Sequence, residues 1–119
     1  MSDIKTTFAD IKKDVKQMVD ERDWNQFHSP KNLAMSISVE ANELLEKFLW
    51  MDNAPSFEEL KTNRQDIEDE CADVLIVLTA FANACNIDLS KAVRAKLEKT
   101  KAKYPIAKAK GRYTKYTEL

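Results

Sequence analysis

The amino-acid sequence predicts an all-α fold, a four-helix bundle-like domain, and three observations lead there. One glycine and three prolines in 119 residues leave too little turn vocabulary for a many-stranded sheet. Apolar residues recur at helical rather than alternating spacing, and helix-start signals sit at the breaks between the periodic stretches. An apolar content of 44% suffices for one core, and 33% charge suits a solvated surface. The expected organisation is a single domain over 1–119, with residues 106–119 as a basic C-terminal tail.

The first helix is expected from Ile4 to Arg22, because Phe8, Ile11, Val15, Met18 and Val19 form a stripe from which Lys12, Lys13, Asp14 and Lys16 are excluded. Asp23-Trp24-Asn25-Gln26-Phe27-His28 interrupts that pattern with two large rings and a histidine, a pocket wall or a loop packing its rings inward. Ser29-Pro30 then starts a second helix, since serine caps free backbone N–H groups and proline fits the first helical position. It is expected to run through Trp50, burying Leu33, Ile37, Leu44 and Phe48. Asp52-Asn53-Ala54-Pro55 breaks the chain, and Ser56 with Glu59 reads as a capping box for the next segment, Phe57 to Asn63, either a short helix or part of a longer, bent one.

From Gln65 to Cys85 helical spacing resumes with Ile67, Val74, Val77, Leu78 and Phe81, and beyond Asp73 the helix is apolar nearly all round. A small bundle rarely hides every face of a helix within one chain, so a homodimer or homotetramer is expected. Asn86-Ile87-Asp88 makes the next break, a further helix runs from Leu89 to Lys103, and Pro105 ends it.

Cys71 and Cys85 lie on one predicted helix, too far apart to bridge within it, and belong to no zinc-type cluster; both read as small buried side chains. The longest uncharged stretch, Val74 to Ile87, is too short for a membrane span, and the opening residues show no signal-peptide pattern. A cytoplasmic protein without a membrane partner is expected. Charge is uneven: residues 1–90 carry 18 acids and 9 bases, whereas 91–119 carry 10 bases and 2 acids. Lysines that hold an anionic small substrate near an acidic metal site account for both halves, and nucleic acid is not the expected partner.

Two acidic pairs carry the chemistry. Glu40-Ala-Asn-Glu43 and Glu70-Cys-Ala-Asp73 each put carboxylates three apart on one helical face, beside apolar segments. Acids placed there cost desolvation and mutual repulsion, which a divalent cation offsets. Four carboxylates without cysteine or histidine suit magnesium, or manganese, better than zinc. Glu46 can join the site or hold a water. An isolated Glu-x-x-Glu is ordinary helix-surface acidity; it is the combination of two pairs that argues for a metal.

The whole pattern resembles the all-α MazG-like nucleoside triphosphate pyrophosphohydrolases, in particular their deoxycytidine triphosphate pyrophosphatase branch. The resemblance spans residues 8–119 and rests on Glu40-x-x-Glu43, Glu70-x-x-Asp73, the segments Glu21 to His28 and Glu43 to Trp50, Lys103-Tyr104-Pro105, and Lys115 to Leu119. It implies magnesium-dependent cleavage between the α and β phosphates, giving a nucleoside monophosphate and pyrophosphate. It implies Glu40, Glu43, Glu70 and Asp73 as metal ligands, with one of these or Glu46 orienting the water. It places Trp24, His28 and Trp50 around the nucleotide and Lys96 at the phosphates, with Thr100, Lys103 and Tyr104 on the same last helix and its end. Thr100 stands where that branch commonly has asparagine, Lys103 where it has arginine, and Val77 where it often has tyrosine.

Two other readings compete. A phosphoribosyl-ATP or other pyrophosphate-compound hydrolase keeps the acidic cradle but changes the sugar and base contacts. A non-enzymatic, oligomeric nucleic-acid-binding protein uses the basic end and leaves the paired carboxylates without a task.

Overall fold

The computed structural model describes residues 2–119, and all regular structure among them is helical. The helices are α1 (Phe8–Glu21), α2 (Pro30–Glu46), α3 (Asn53–Thr62), α4 (Arg64–Ala84), α5 (Leu89–Lys103) and α6 (Ile106–Ala109). Short 3-10 turns occupy Trp24–Phe27 and Tyr116–Glu118. The all-α expectation holds, with α3 and the four-residue α6 adding to four longer helices.

The chain divides into two compact units, one ending at Asn86 and the other covering Ile87–Leu119. In the first, α2 packs along α4 over the longest stretch, while α1 and α3 also lie against α4. Val15 and Val19 of α1, Leu33 of α2 and Ala80 of α4 form its buried centre, flanked by Ile11, Met18 and Phe81. Burying a valine or leucine side chain stabilises by about 1.5–3 kcal/mol, so this small cluster fixes three helices at once. A long-range tie reinforces it, the Asn83 amide donating to the Lys12 carbonyl at 3.0 Å.

In the second unit the tail folds back on the end of α5. The Tyr104 and Tyr116 rings meet edge to face with centroids 5.9 Å apart, and the Lys103 ammonium lies 4.7 Å from the Tyr116 ring centre. Such ring and cation–π contacts are each worth about 0.5–1.5 kcal/mol, and both tie Tyr116 to the end of α5.

Several boundaries differ from the sequence expectation, each for a local reason. Helix α1 begins at Phe8 rather than Ile4 because Thr7 and Asp10 form a reciprocal capping box. Helix α2 stops at Glu46, and the chain turns through Trp50, whose φ of 65° no helix accommodates. Helix α3 starts at Asn53, upstream of the expected Ser56 cap. Pro55 is tolerated there because the first helical turn has no intrahelical partner for its missing N–H. Ser56 donates instead to the Asn53 carbonyl within the helix. Cys71 is exposed and Cys85 half-buried, so the expectation of two buried thiols fails; α4 turns Cys71 away from its packed face. Helix α5 has the expected bounds, capped by Asp88 through the Lys91 N–H at 3.0 Å.

Candidate metal centre

The packing of α2 against α4 brings both acidic pairs to one place. Each of Glu40, Glu43, Glu70 and Asp73 is half-buried and presents a carboxylate oxygen, and these four oxygens lie within 4.8 Å of one another. Spacing of three residues keeps each pair on one helical face, and the helix contact makes the two faces meet.

The electrostatics are unfavourable without a cation. One oxygen each of Glu40 and Glu70 is buried with no hydrogen-bond partner. The Glu43 carboxyl is pushed above its ordinary range, first by its hydrogen bond with Glu40 and that group's charge, then by desolvation and Asp73. The Glu70 carboxyl is pushed up by burial first, then by Glu43 and Asp73, against a lowering pull from the Lys47 ammonium. Orphaned buried acceptors and crowded negative charge are what a divalent cation relieves. Opposite oxygens around magnesium stand about 4.2 Å apart, so the four groups reach one ion with shifts of tenths of an ångström. The donor set, all oxygen, fits a hard divalent cation.

Neighbouring acids are otherwise engaged. Glu68 pairs with Arg64 at 3.0 Å and Asp69 accepts from Gln65 at 2.9 Å, both one helical turn away on α4. Glu46 ends α2 on an exposed position one turn beyond Glu43 and is not among the four converging carboxylates. Lys47, the α2 C-cap residue, stands close enough to act on Glu70, a cation that sequence reasoning missed. Its position four residues after Glu43 was the available signal.

A groove leads away from the cluster along α2. One cavity of about 330 Å³ is lined by Asn32, Met35, Ser36, Val39 and Glu40. A second of about 330 Å³ is lined by Trp24, Phe27, His28, Asn32, Leu33 and Ser36. Asn32 and Ser36 belong to both, so the ring-bearing corner and the first metal-ligand candidate share one continuous surface.

The corner is held by short local bonds. Asp23 adopts a left-handed backbone with φ of 54°, turning the chain out of α1 into the Trp24–Phe27 turn. Ser29 caps the Asn32 N–H at 3.1 Å, and the Asn32 amide donates to the Phe27 carbonyl at 3.0 Å. His28 is therefore flanked on both sides by residues tied to Asn32. The Arg22 guanidinium lies 5.9 Å from the centre of the Trp24 ring.

The remaining expected site residues are distributed. Trp50 is 94% exposed, after the end of α2. Lys96, Thr100 and Lys103 lie on α5 and Tyr104 caps it, in the second unit, where Lys103 and Tyr104 engage Tyr116.

Comparison with known proteins agrees with this geometry. The sequence pattern of the MazG-like family matches residues 35–119, which include all four clustered carboxylates. The dCTP pyrophosphatase 1 of Rattus norvegicus is 38% identical over 116 residues, 95% of this chain and 68% of the relative. That of Homo sapiens is 38% identical over 115 residues, again 95% and 68%. A crystal structure of a pyrophosphatase from Archaeoglobus fulgidus superimposes with a TM-score of 0.74 at 42% identity, covering 76% of this chain and 85% of the other. On fold, acidic cluster and these likenesses together, the chain belongs to the MazG-like family, in its dCTP pyrophosphatase branch.

Proposed function

We propose that the chain is a nucleoside triphosphate pyrophosphohydrolase that hydrolyses deoxynucleoside triphosphates, dCTP among them, to a monophosphate and pyrophosphate. The observation that carries this reading is the set of four converging carboxylates with two buried oxygens lacking any hydrogen-bond donor. Glu40, Glu43, Glu70 and Asp73 hold magnesium, with manganese as the alternative. The ion, when bound, neutralises phosphate charge and lowers the pKa of a nearby water.

The chain's own residues then have distinct tasks. Water adds across the α–β phosphoanhydride, its oxygen joining phosphorus while the bridging oxygen leaves with the departing phosphate group. Glu46, adjacent to the cluster yet outside it, takes the water's proton. Lys47, beside Glu70, and Lys96 offset phosphate charge as compact ammonium groups. Trp24 and His28 receive the base, one by its ring face and the other by a hydrogen bond, with Trp50 as a further stacking ring. Thr100, Lys103 and Tyr104 complete the substrate contacts from the α5 end.

The whole of 1–119 serves as one cytoplasmic catalytic domain, with 106–119 its basic tail, and the long helices of the first unit, α1, α2 and α4, form a bundle-like body. A second copy, or a pair of dimers, covers apolar side chains left exposed outside the groove along α2: Leu45 of α2, Leu49 after it, and Ile76 and Leu78 of α4. No single helix is long and apolar enough to cross a membrane among the described residues.

A nucleotide panel with magnesium, resolving pyrophosphate from orthophosphate, tests the reaction. Pyrophosphate and monophosphate from dCTP are expected, and production of diphosphate with orthophosphate would overturn the assignment. Glu46→Gln should lower kcat by two to four orders of magnitude while sparing KM, consistent with loss of general base catalysis of about 10²–10⁴.

A further inference from the structure

The groove along α2 carries a polar line that leads away from the metal cluster. Asn32, Ser36 and Glu40 recur every four residues and so share one face, about 6 Å apart per step along the helix axis. Glu40 ends the line at the acidic cluster, and Asn32 ends it beside Trp24, Phe27 and His28. Ser36 is the middle position, half-buried, and lines both cavities.

Its hydroxyl has no partner within the helix. Hydroxyls inside a helix often bond back to the carbonyl four residues earlier. Thr79 of α4 does so, donating to the Leu75 carbonyl at 2.6 Å. No described residue hydrogen-bonds the Ser36 hydroxyl, which faces the two cavities from a half-buried position. A free donor and acceptor is thus held one helical turn from the candidate metal and one turn from the aromatic corner.

A nucleotide presents phosphates, sugar and base in that order. With phosphates at Glu40 and the base at the Trp24–His28 corner, the sugar falls opposite Ser36. A deoxyribose triphosphate has one free sugar hydroxyl, at the 3′ carbon. The geometry points to Ser36 as a specificity residue of this site, its hydroxyl pairing with the 3′-hydroxyl of a deoxynucleotide lying along α2. This deepens the pyrophosphohydrolase reading and rests on it for the identity of the ligand.

The test compares deoxy- and 2′,3′-dideoxynucleotides in two formats. Calorimetric binding of α,β-methylene analogues reads the groove without turnover, and release of pyrophosphate reads the reaction. The native chain should bind the deoxy analogue about tenfold more tightly than the dideoxy one, the worth of one neutral hydrogen bond. Ser36→Ala should collapse that ratio toward one. Ser36→Leu should weaken both ligands at least tenfold while manganese binding in the absence of nucleotide, followed by electron paramagnetic resonance, stays unchanged. An undiminished ratio in Ser36→Ala, or native-like nucleotide binding by folded Ser36→Leu, would overturn the proposal. Absence of pyrophosphate from the native chain alongside an intact binding ratio would instead remove the reaction and leave the groove assignment standing.

Discussion

The acidic cluster makes the metal-free and metal-bound proteins respond in opposite directions to one substitution, Glu70→Gln. The Glu43 and Glu70 carboxyls are held above the ordinary value of 4.5, so the folded chain keeps protons that the unfolded chain has already released. Their contribution to stability is present below pH 4.5 and is lost as pH rises through the raised values. At pH 7 the metal-free cluster is therefore a net burden, because neighbouring oxygens within 4.8 Å repel and two lack donors. Glutamine removes a charge and supplies an N–H donor, so metal-free Glu70→Gln should melt above the native chain. Magnesium should reverse the order. At one hundred times its dissociation constant, a ligand bound only by the folded state adds about 2.7 kcal/mol. For a chain of 119 residues the unfolding entropy is roughly 250 cal/mol/K, which converts that gain to about 11 °C. Differential scanning calorimetry in chelator and then in excess magnesium reads both limbs. A native melting temperature indifferent to magnesium, or an undiminished magnesium shift in Glu70→Gln, would refute the electrostatic argument.

Two further predictions concern the scaffold. Leu33→Ala empties a site only 3% exposed, between α1, α2 and α4, and should cost about 3 kcal/mol in urea denaturation with an unchanged slope. The Asp20 carboxyl is held below 3.8, first by the Lys16 ammonium and then by the Asn25 amide at 2.7 Å. Its contribution is present above pH 3.8 and is lost as pH falls through the depressed value, so acid should loosen the Trp24 corner and Asp20→Asn should abolish that limb in a fluorescence titration.

The sequence carried the parts of this structure that depend on neighbours along the chain. Ser29-Pro30 and Asp88 mark the starts of α2 and α5 because a capping side chain acts within three residues. Glu40, Glu43, Glu70 and Asp73 were recognisable because spacing of three survives whatever the helices do next. Meeting of the two pairs depends on α2 packing against α4, which no local pattern dictates; the need of crowded carboxylates for a shared cation suggested it, and the family resemblance implied it. The Ser56-x-x-Glu59 signature misled because Asp52 already starts the helix and Pro55 does not obstruct a first turn. Lys47 and Ser36 escaped notice because their significance comes from the opposite helix and from the hollow beside it.

Trp50 and Trp24, the two tryptophans of the chain, differ in surroundings: the first is 94% exposed on a left-handed backbone, the second 42% exposed at a pinned corner. An indole in water emits at longer wavelength than one shielded from it. The chain thus carries its own optical gauge: whatever covers the turn after α2, ligand or second copy, shifts the Trp50 emission to the blue. Trp50→Phe leaves Trp24 alone to report on the corner beside His28.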